Sequence, residues 1–364
     1  MEGKIRPIYF KKPDGGTIEL YQPAFLVGNG INYADKCNMS WEELLIDILP
    51  AGMRPNLSKN DSGENLSFKF NNASASLEFS VNIPGKQNRF EEEFSGLTYP
   101  EIAELALSKR SPEEYDKKSK SEFLSIASNK IQTCIEEGSH SNSKHQEMVE
   151  FAIKHNIPIL TTNFDRKFLK TPCFKQGTDI KLYWNDKNPD ITDQDYKTLR
   201  NAYFRPKALS KNNDIHSEFA IWHIHGVIGH ESYRLCLTSW DYLNSSAKIK
   251  EVSIKKDYKD HSKDATWIDI ILDNDLIIMG LGLDSFETDL RALLSERVIK
   301  NKVRKYINKD ISEKPKTIYI YRKEAEEKEM PAGKRKLFES LGIICVPMEQ
   351  DDIYSLDKYL STHK

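Results

Sequence analysis

The chain has 364 residues, 38% of them hydrophobic and 30% charged, and its 53 Lys and Arg against 55 Asp and Glu leave a formal charge of −2. That is enough apolar material for a large core, as one α/β domain with insertions or as two domains, and it excludes the basic excess of a dedicated nucleic-acid binder. The five cysteines, Cys37, Cys134, Cys173, Cys236 and Cys345, form no C-x-x-C pair, which argues against a disulfide framework or a four-cysteine zinc site and for a reducing cytoplasm.

Met1-Glu-Gly-Lys-Ile-Arg-Pro7 has no apolar signal-peptide core, and no apolar run approaches the roughly 18 residues of a membrane span. The expectation is a cytoplasmic protein with no membrane contact and no direct nucleic-acid binding.

Ile5–Leu20 reads as an extended lead-in with a turn at Pro13-Asp-Gly-Gly16. Tyr21–Val27 is the first core strand. Phe25–Asn32, Phe-Leu-Val-Gly-Asn-Gly-Ile-Asn, ends that strand in two glycines, and the helical pattern Trp41–Leu49 follows. Strand, glycine turn and helix in that order put bare backbone N–H groups within reach of a phosphate. A tight turn would need the same glycines.

The region 50–85 is rich in Asn, Ser and Gly. Its alternations at Leu66–Phe70 and Leu77–Val81 suggest short extended segments, a hairpin being one arrangement. Tyr99–His155 reads as mostly helical, with apolar stripes at Ile102, Leu105, Ala106 and Leu107 and at Phe123, Ile126, Ala127, Ile131 and Ile135 that suit helix packing. Ile157–Thr162 is a short strand ending in Thr-Thr-Asn-Phe-Asp165.

Lys170–His216 reads as an aromatic and polar, loop-rich insertion. Phe219–Ile224 is a strand ending at His225-Gly226, and Arg234–Thr238 a further strand before a helix start at Ser239. Lys248–Asp264, with both charge signs interleaved, reads as a solvated helix face. Helical Trp267–Leu272 leads into the buried strand Asp275–Met279 and then Gly280-Leu-Gly-Leu-Asp284. Asp284 or Ser285 offers an N-cap to a helix over Phe286–Val298. Strands Thr317–Tyr321 and Ile343–Pro347 flank a charged helix around Ala325–Leu341.

Strand and helix alternate, which predicts an α/β, Rossmann-like parallel sheet with helices on both faces, plus a helical insertion or subdomain. In such a sheet ligands lie beyond the carboxyl ends of the strands. Four predicted strands end in glycine or polar groups: Gly28-Asn29-Gly30, Thr162-Asn163 with Asp165, His225-Gly226, and Gly280-Leu-Gly282. Asn163 and Asp165 suit either a ligand site or a cap on the following helix. His225 is the side chain whose ordinary pKa suits proton transfer near neutral pH, and His223 is read as structural.

A glycine turn near the N-terminus, then Thr-Thr-Asn-Phe-Asp, His-Gly and Gly-Leu-Gly-Leu-Asp, each after a strand, resembles the sirtuin family. More narrowly, it resembles the bacterial sirtuin-like branch found in anti-phage defence proteins. Leu235-Cys-Leu-Thr-Ser-Trp-Asp-Tyr242 is similar to that branch as well, and the resemblance covers roughly Tyr21–Met348.

The resemblance implies a domain over 1–348, with a helical insertion at about 98–156, a loop-rich insertion at about 170–216 and a tail at 349–364. It implies that Gly28, Asn29, Gly30 and Ile31 contact the phosphates and ribose of NAD. Asn163 and Thr162 would lie by the nicotinamide ribose with Asp165 the nearby acid, His225 would be catalytic, and Gly280, Gly282 and Asp284 would lie near the adenosine half. Tyr321 falls where the family places an adenosine-ribose contact, though of another residue type.

The paired cysteines of a deacylase zinc module are absent, as is the arginine-containing Asp-Phe-Arg segment that follows the first loop in deacylases. Both departures point to water as the acceptor. The expected function is metal-independent hydrolysis of NAD to ADP-ribose and nicotinamide by a defence effector. The alternatives are a non-catalytic NAD or ADP-ribose sensor and, behind it, a protein deacylase. No further sensor domain is recognisable after Met348, so the trigger is expected in a homo-oligomer or in a partner such as a DNA-translocating ATPase or a phage protein.

Overall fold

The structure is a computed structural model that describes residues 7–37, 44–45, 58–59, 65–72, 75–82, 98–108, 117–136, 142–175, 178–182, 202–206, 219–229, 235–255, 267–284, 287–307, 315–323 and 330–363. β1 (Ile8–Lys11) and β2 (Thr17–Leu20) pair antiparallel across the Pro13–Gly16 turn. β3 (Pro23–Val27) is buried at every position. β4 (Ser58–Lys59), β5 (Asn65–Asn72) and β6 (Ala75–Asn82) form a small antiparallel sheet, so the alternations at Leu66–Phe70 and Leu77–Val81 do face each other in a hairpin. Of the helix expected at Trp41–Leu49, only Leu44 and Leu45 are described, both helical and buried; the rest lies outside the described residues.

The main sheet continues with β7 (Ile159–Thr161), β8 (Thr178–Leu182), β9 (Ala202–Pro206), β10 (Ile221–His223), β11 (Asp275–Met279), β12 (Thr317–Arg322) and β13 (Ile343–Met348). It runs β13-β12-β11-β3-β7-β10-β9-β8. The six strands from β13 to β10 are parallel, and β9 and β8 add antiparallel at the β10 edge. Counting β3, β7, β10, β11, β12 and β13 as one to six, their order from β10 to β13 is 3-2-1-4-5-6, that of a doubly wound, Rossmann-like sheet. The stretch expected as a loop-rich insertion therefore supplies two sheet strands, with Phe204 of β9 buried against the core.

Strand period assigns the two faces. Phe25 and Val27 of β3, with Ile277 and Met279 of β11, pack under the helix Ser143–His155, while Ala24 and Leu26, with Leu276 and Ile278, pack under the helices Trp267–Asp273 and Thr288–Ile307. The Asp35 carboxylate bonds the His145 ring at 2.6 Å and the Lys144 N–H at 3.0 Å, which ties the start of Ser143–His155 to the turn after β3.

Residues 349–363, read as a tail, close the first face. The turns Gln350–Ile353 and Leu356–Tyr359 bury Ile353, Tyr354, Leu356 and Tyr359, and β14 (Leu360–Ser361) pairs with β1.

A third apolar cluster roofs the carboxyl ends of β7 and β10. Ile102 and Ala103 of the helix Tyr99–Ser108 and Ala127 and Ile131 of Lys117–Ile131 share it with Phe164, Ile228, Leu235 and Leu237. This explains one departure from expectation. Leu235–Thr238 is irregular rather than a strand, because its alternating apolar residues pack into that roof and join no ladder.

Two glycines separate backbone strain from close approach. Gly342 has φ 66° with open space around a would-be side chain, whereas Gly280 has φ 61° and the Tyr354 hydroxyl where its Cβ would stand. Gly342→Ala is expected to cost about 1 kcal/mol, and Gly280→Ala about 3 kcal/mol or more. Urea-melt midpoints check this, and equal losses would contradict it.

Candidate functional site

The sheet order reverses between β3 and β11, so the crevice between their carboxyl ends is the topological switch point where open α/β sheets hold ligands. β3 runs into Gly28-Asn29-Gly30 and β11 into Gly280-Leu281-Gly282, and the two loops cross in contact. Gly28 N–H donates to Met279 O at 3.1 Å and Gly30 N–H to Gly280 O at 2.9 Å. A Cβ on Gly28 would overlap Gly280 O, and one on Gly30 would lie 2.6 Å from Gly280 Cα. The glycines are thus required by the crossing itself, and the N–H groups expected to be bare for a phosphate are held by the neighbouring loop.

The other residues of these loops are placed as follows. Asn29 Oδ1 accepts from Asn32 Nδ2 at 2.8 Å, so the amide oxygen expected to face a cofactor is engaged within the loop. The Ile31 side chain is buried in the core. Gly282 O accepts from the Tyr319 hydroxyl and from Lys334, and Lys334 also pairs with Asp284 at 3.0 Å. Asp284 is thereby turned to the surface. Its N–H meets Glu287 Oε2 at 3.0 Å, and the next described helix starts at Thr288. Tyr321 stacks on Tyr319, centroids 6.1 Å apart, and Tyr319 is the residue that holds the glycine loop, bonding Leu281 O at 2.9 Å.

Beyond β7, Thr162 N–H donates to Val27 O at 3.2 Å and aligns this loop with the end of β3. Asp165 accepts the Lys167 N–H on Oδ1 at 2.9 Å and Asn32 Nδ2 on Oδ2 at 2.8 Å. Asp165 therefore caps the turn that follows and also bridges the β3 and β7 loops. Asn163 does neither. Its side chain is buried, and both its Oδ1 and its Nδ2 lack a partner. The nearby Asn32 Oδ1 is also buried and unpartnered. An unpartnered buried polar group costs about 1–3 kcal/mol, so such groups in one place mark where a polar ligand would be satisfied.

The β10 loop lies alongside. Ile224 N–H bonds Thr161 O at 3.0 Å and Ile228 N–H bonds Phe164 O at 2.8 Å, so Asn163 and His225 sit on adjoining segments. Two residues apart, His223 and His225 would share a face of a regular strand, but β10 ends at His223 and their partners diverge. His223 Nδ1 donates to Asn163 O at 2.9 Å and supports that loop from beneath.

His225 Nε2 meets Asp289 Oδ2 at 3.0 Å, and the Tyr242 ring stands edge-on at 5.2 Å. Asp289 also accepts the Ser245 hydroxyl at 3.2 Å and the Leu290 N–H at 2.8 Å. Burial pushes the Asp289 carboxyl up, but the His225 charge and these hydrogen bonds together hold it below its ordinary value. An ionised Asp289 fixes the Nε2–H tautomer and leaves Nδ1 as the nitrogen that can take a proton.

Glu287, two residues before Asp289, behaves oppositely. Burial, opposed by the His225 charge and reinforced by Asp284, raises its carboxyl from 4.5 to about 7.

Asn32, Glu287, Asp289 and Tyr354 are therefore part of this region without having been singled out as site residues. Asn32 closes the very stretch Phe25–Asn32. Asp289, in a first helical turn, reads in sequence as an ordinary helix-dipole acid.

No protein-family model matches the chain, and no curated protein matches it. Among the described residues there is no group of three or more His, Cys, Asp or Glu side chains placed to hold a metal ion, and no helix is long and apolar enough to cross a membrane.

The raised Glu287 value has a definite sign for stability. Its protonated form favours the fold fully below about pH 4.5, and that contribution is lost as pH rises through about 7. Glu287→Gln should therefore gain stability over the parent on going from pH 5 to pH 8, by up to about 3 kcal/mol. Urea melts at both pH values test this, and a difference independent of pH would contradict it.

Proposed function

We propose that the protein hydrolyses NAD to ADP-ribose and nicotinamide without a metal, in the manner of a sirtuin-like hydrolase. The observation that carries this reading is the Asn163 carboxamide, buried with both atoms unpartnered beyond the end of β7 and flanked by the loop of His225. A sheet of 3-2-1-4-5-6 order supports a dinucleotide at the adjoining crevice.

Breaking the bond between nicotinamide and ribose builds positive charge on the sugar. The Asp165 carboxylate, held in place by Asn32 and the Lys167 N–H, supplies fixed negative charge on that side of the site. The Asn163 amide orients a ribose hydroxyl and the attacking water. As water adds at the anomeric carbon, the bonding pair leaves with neutral nicotinamide, and the water proton passes to His225 Nδ1 and on to solvent. Asp289 positions the imidazole for this step. The helical roof over Phe164 and Ile228 limits access by bulk water.

The family resemblance supports a role as an NAD-depleting effector of anti-phage defence, kept inactive until an oligomeric state or a partner releases it. A second reading is a sensor that binds NAD or ADP-ribose without cleaving it.

Nicotinamide release from NAD decides between them. Asn163→Ala and His225→Gln should each lower the rate about 100-fold or more. Glutamine keeps a donor toward Asp289 and so spares the fold. Release unaffected by both changes would overturn the site assignment. Binding without release, alone or with candidate partners, would establish the sensor.

A further inference from the structure

Tyr354 lies in the turn after Gln350–Ile353, is 2% exposed, and its hydroxyl has no partner. A Cβ built on Gly30 would stand 2.7 Å from that hydroxyl, and one built on Gly280 would overlap it. The oxygen therefore rests against both glycines, on the floor of the crease where the β3 and β11 loops cross. Phenylalanine would fill the same space without the penalty of about 1–3 kcal/mol for an orphaned buried hydroxyl. In the closed crease the Gly30 N–H is taken by Gly280 O.

We propose that the Tyr354 hydroxyl and the Gly30 N–H are paired donors for the diphosphate of the dinucleotide, made available together when the two glycine loops part. This rests on the NAD reading above and adds to it a contact from the C-terminal segment and a closed resting state. The phenol is suited to this part because burial, then the nearby Asp35 charge and Tyr319, push its ionisation far up, which keeps it a donor to an anionic oxygen. Glycine at 28, 30 and 280 serves both states. No side chain blocks the closed crossing, and none covers the backbone once it opens.

The test is Tyr354→Phe in the full chain, with ADP-ribose and adenosine binding measured by calorimetry and the melting temperature measured without ligand. The expected result is ADP-ribose bound about tenfold or more weaker, with adenosine unaffected and the melting temperature unchanged or higher. ADP-ribose affinity within twofold of the parent would overturn the proposal and leave the NAD reading standing. An equal loss for adenosine would overturn the diphosphate assignment. A parent protein that binds neither ADP-ribose nor NAD would overturn both.

Discussion

The contact on which the rest depends is the crossing of the two glycine loops above β3 and β11. Met279 O and Gly280 O take the N–H groups of Gly28 and Gly30, and no side chain at 28, 30 or 280 could fit. This joins the two halves of the doubly wound sheet at the point where its order reverses. It also sets where the β3 turn goes next. Asn32, bonded to Asn29, is brought to Asp165 of the β7 loop, and Asp35 to the start of the helix Ser143–His155.

From that crossing the polar groups divide by chemistry. Asp165, through both oxygens, and His223, through Nδ1, shape the β7 loop. Asp289 holds one nitrogen of His225 in a buried hydrogen bond, while the Glu287 carboxyl beside it is raised to about 7. Burial raises both of these carboxyl groups, two residues apart, but the His225 charge and the hydrogen bonds from His225, the Leu290 N–H and Ser245 bring Asp289 below its ordinary value while Glu287 stays raised. Asn163, Asn32 Oδ1 and the Tyr354 hydroxyl stay unsatisfied in the protein alone. Native folds rarely leave such groups buried without a reason, and a polar ligand spanning these loops is the reason adopted here.

Much of the frame was legible in sequence because buried parallel strands read as continuous apolar runs. Asp275–Met279, Thr317–Arg322 and Ile343–Met348 lie where their composition put them. Leu235–Thr238 misled for the same reason, since Leu-Cys-Leu is buried by helices and not by neighbouring strands. β8 and β9 were hidden in aromatic and polar sequence because they pair antiparallel at the sheet edge, where alternation is weak. Of the candidate site, the positions of Asn163 and His225 after strands could be read. The Asp289 partner, the crossing of the glycine loops and the reach of Tyr354 could not, because each depends on contacts between segments far apart in the chain.

The central claim is that the unpartnered Asn163 carboxamide is the group that receives the ribose. Its most direct test is a crystal structure of the protein with ADP-ribose bound. Ribose oxygens are expected within hydrogen-bond distance of Asn163 Oδ1 or Nδ2, with the His225–Asp289 pairing intact beside them. ADP-ribose bound elsewhere, with the Asn163 amide still unpaired, would contradict it.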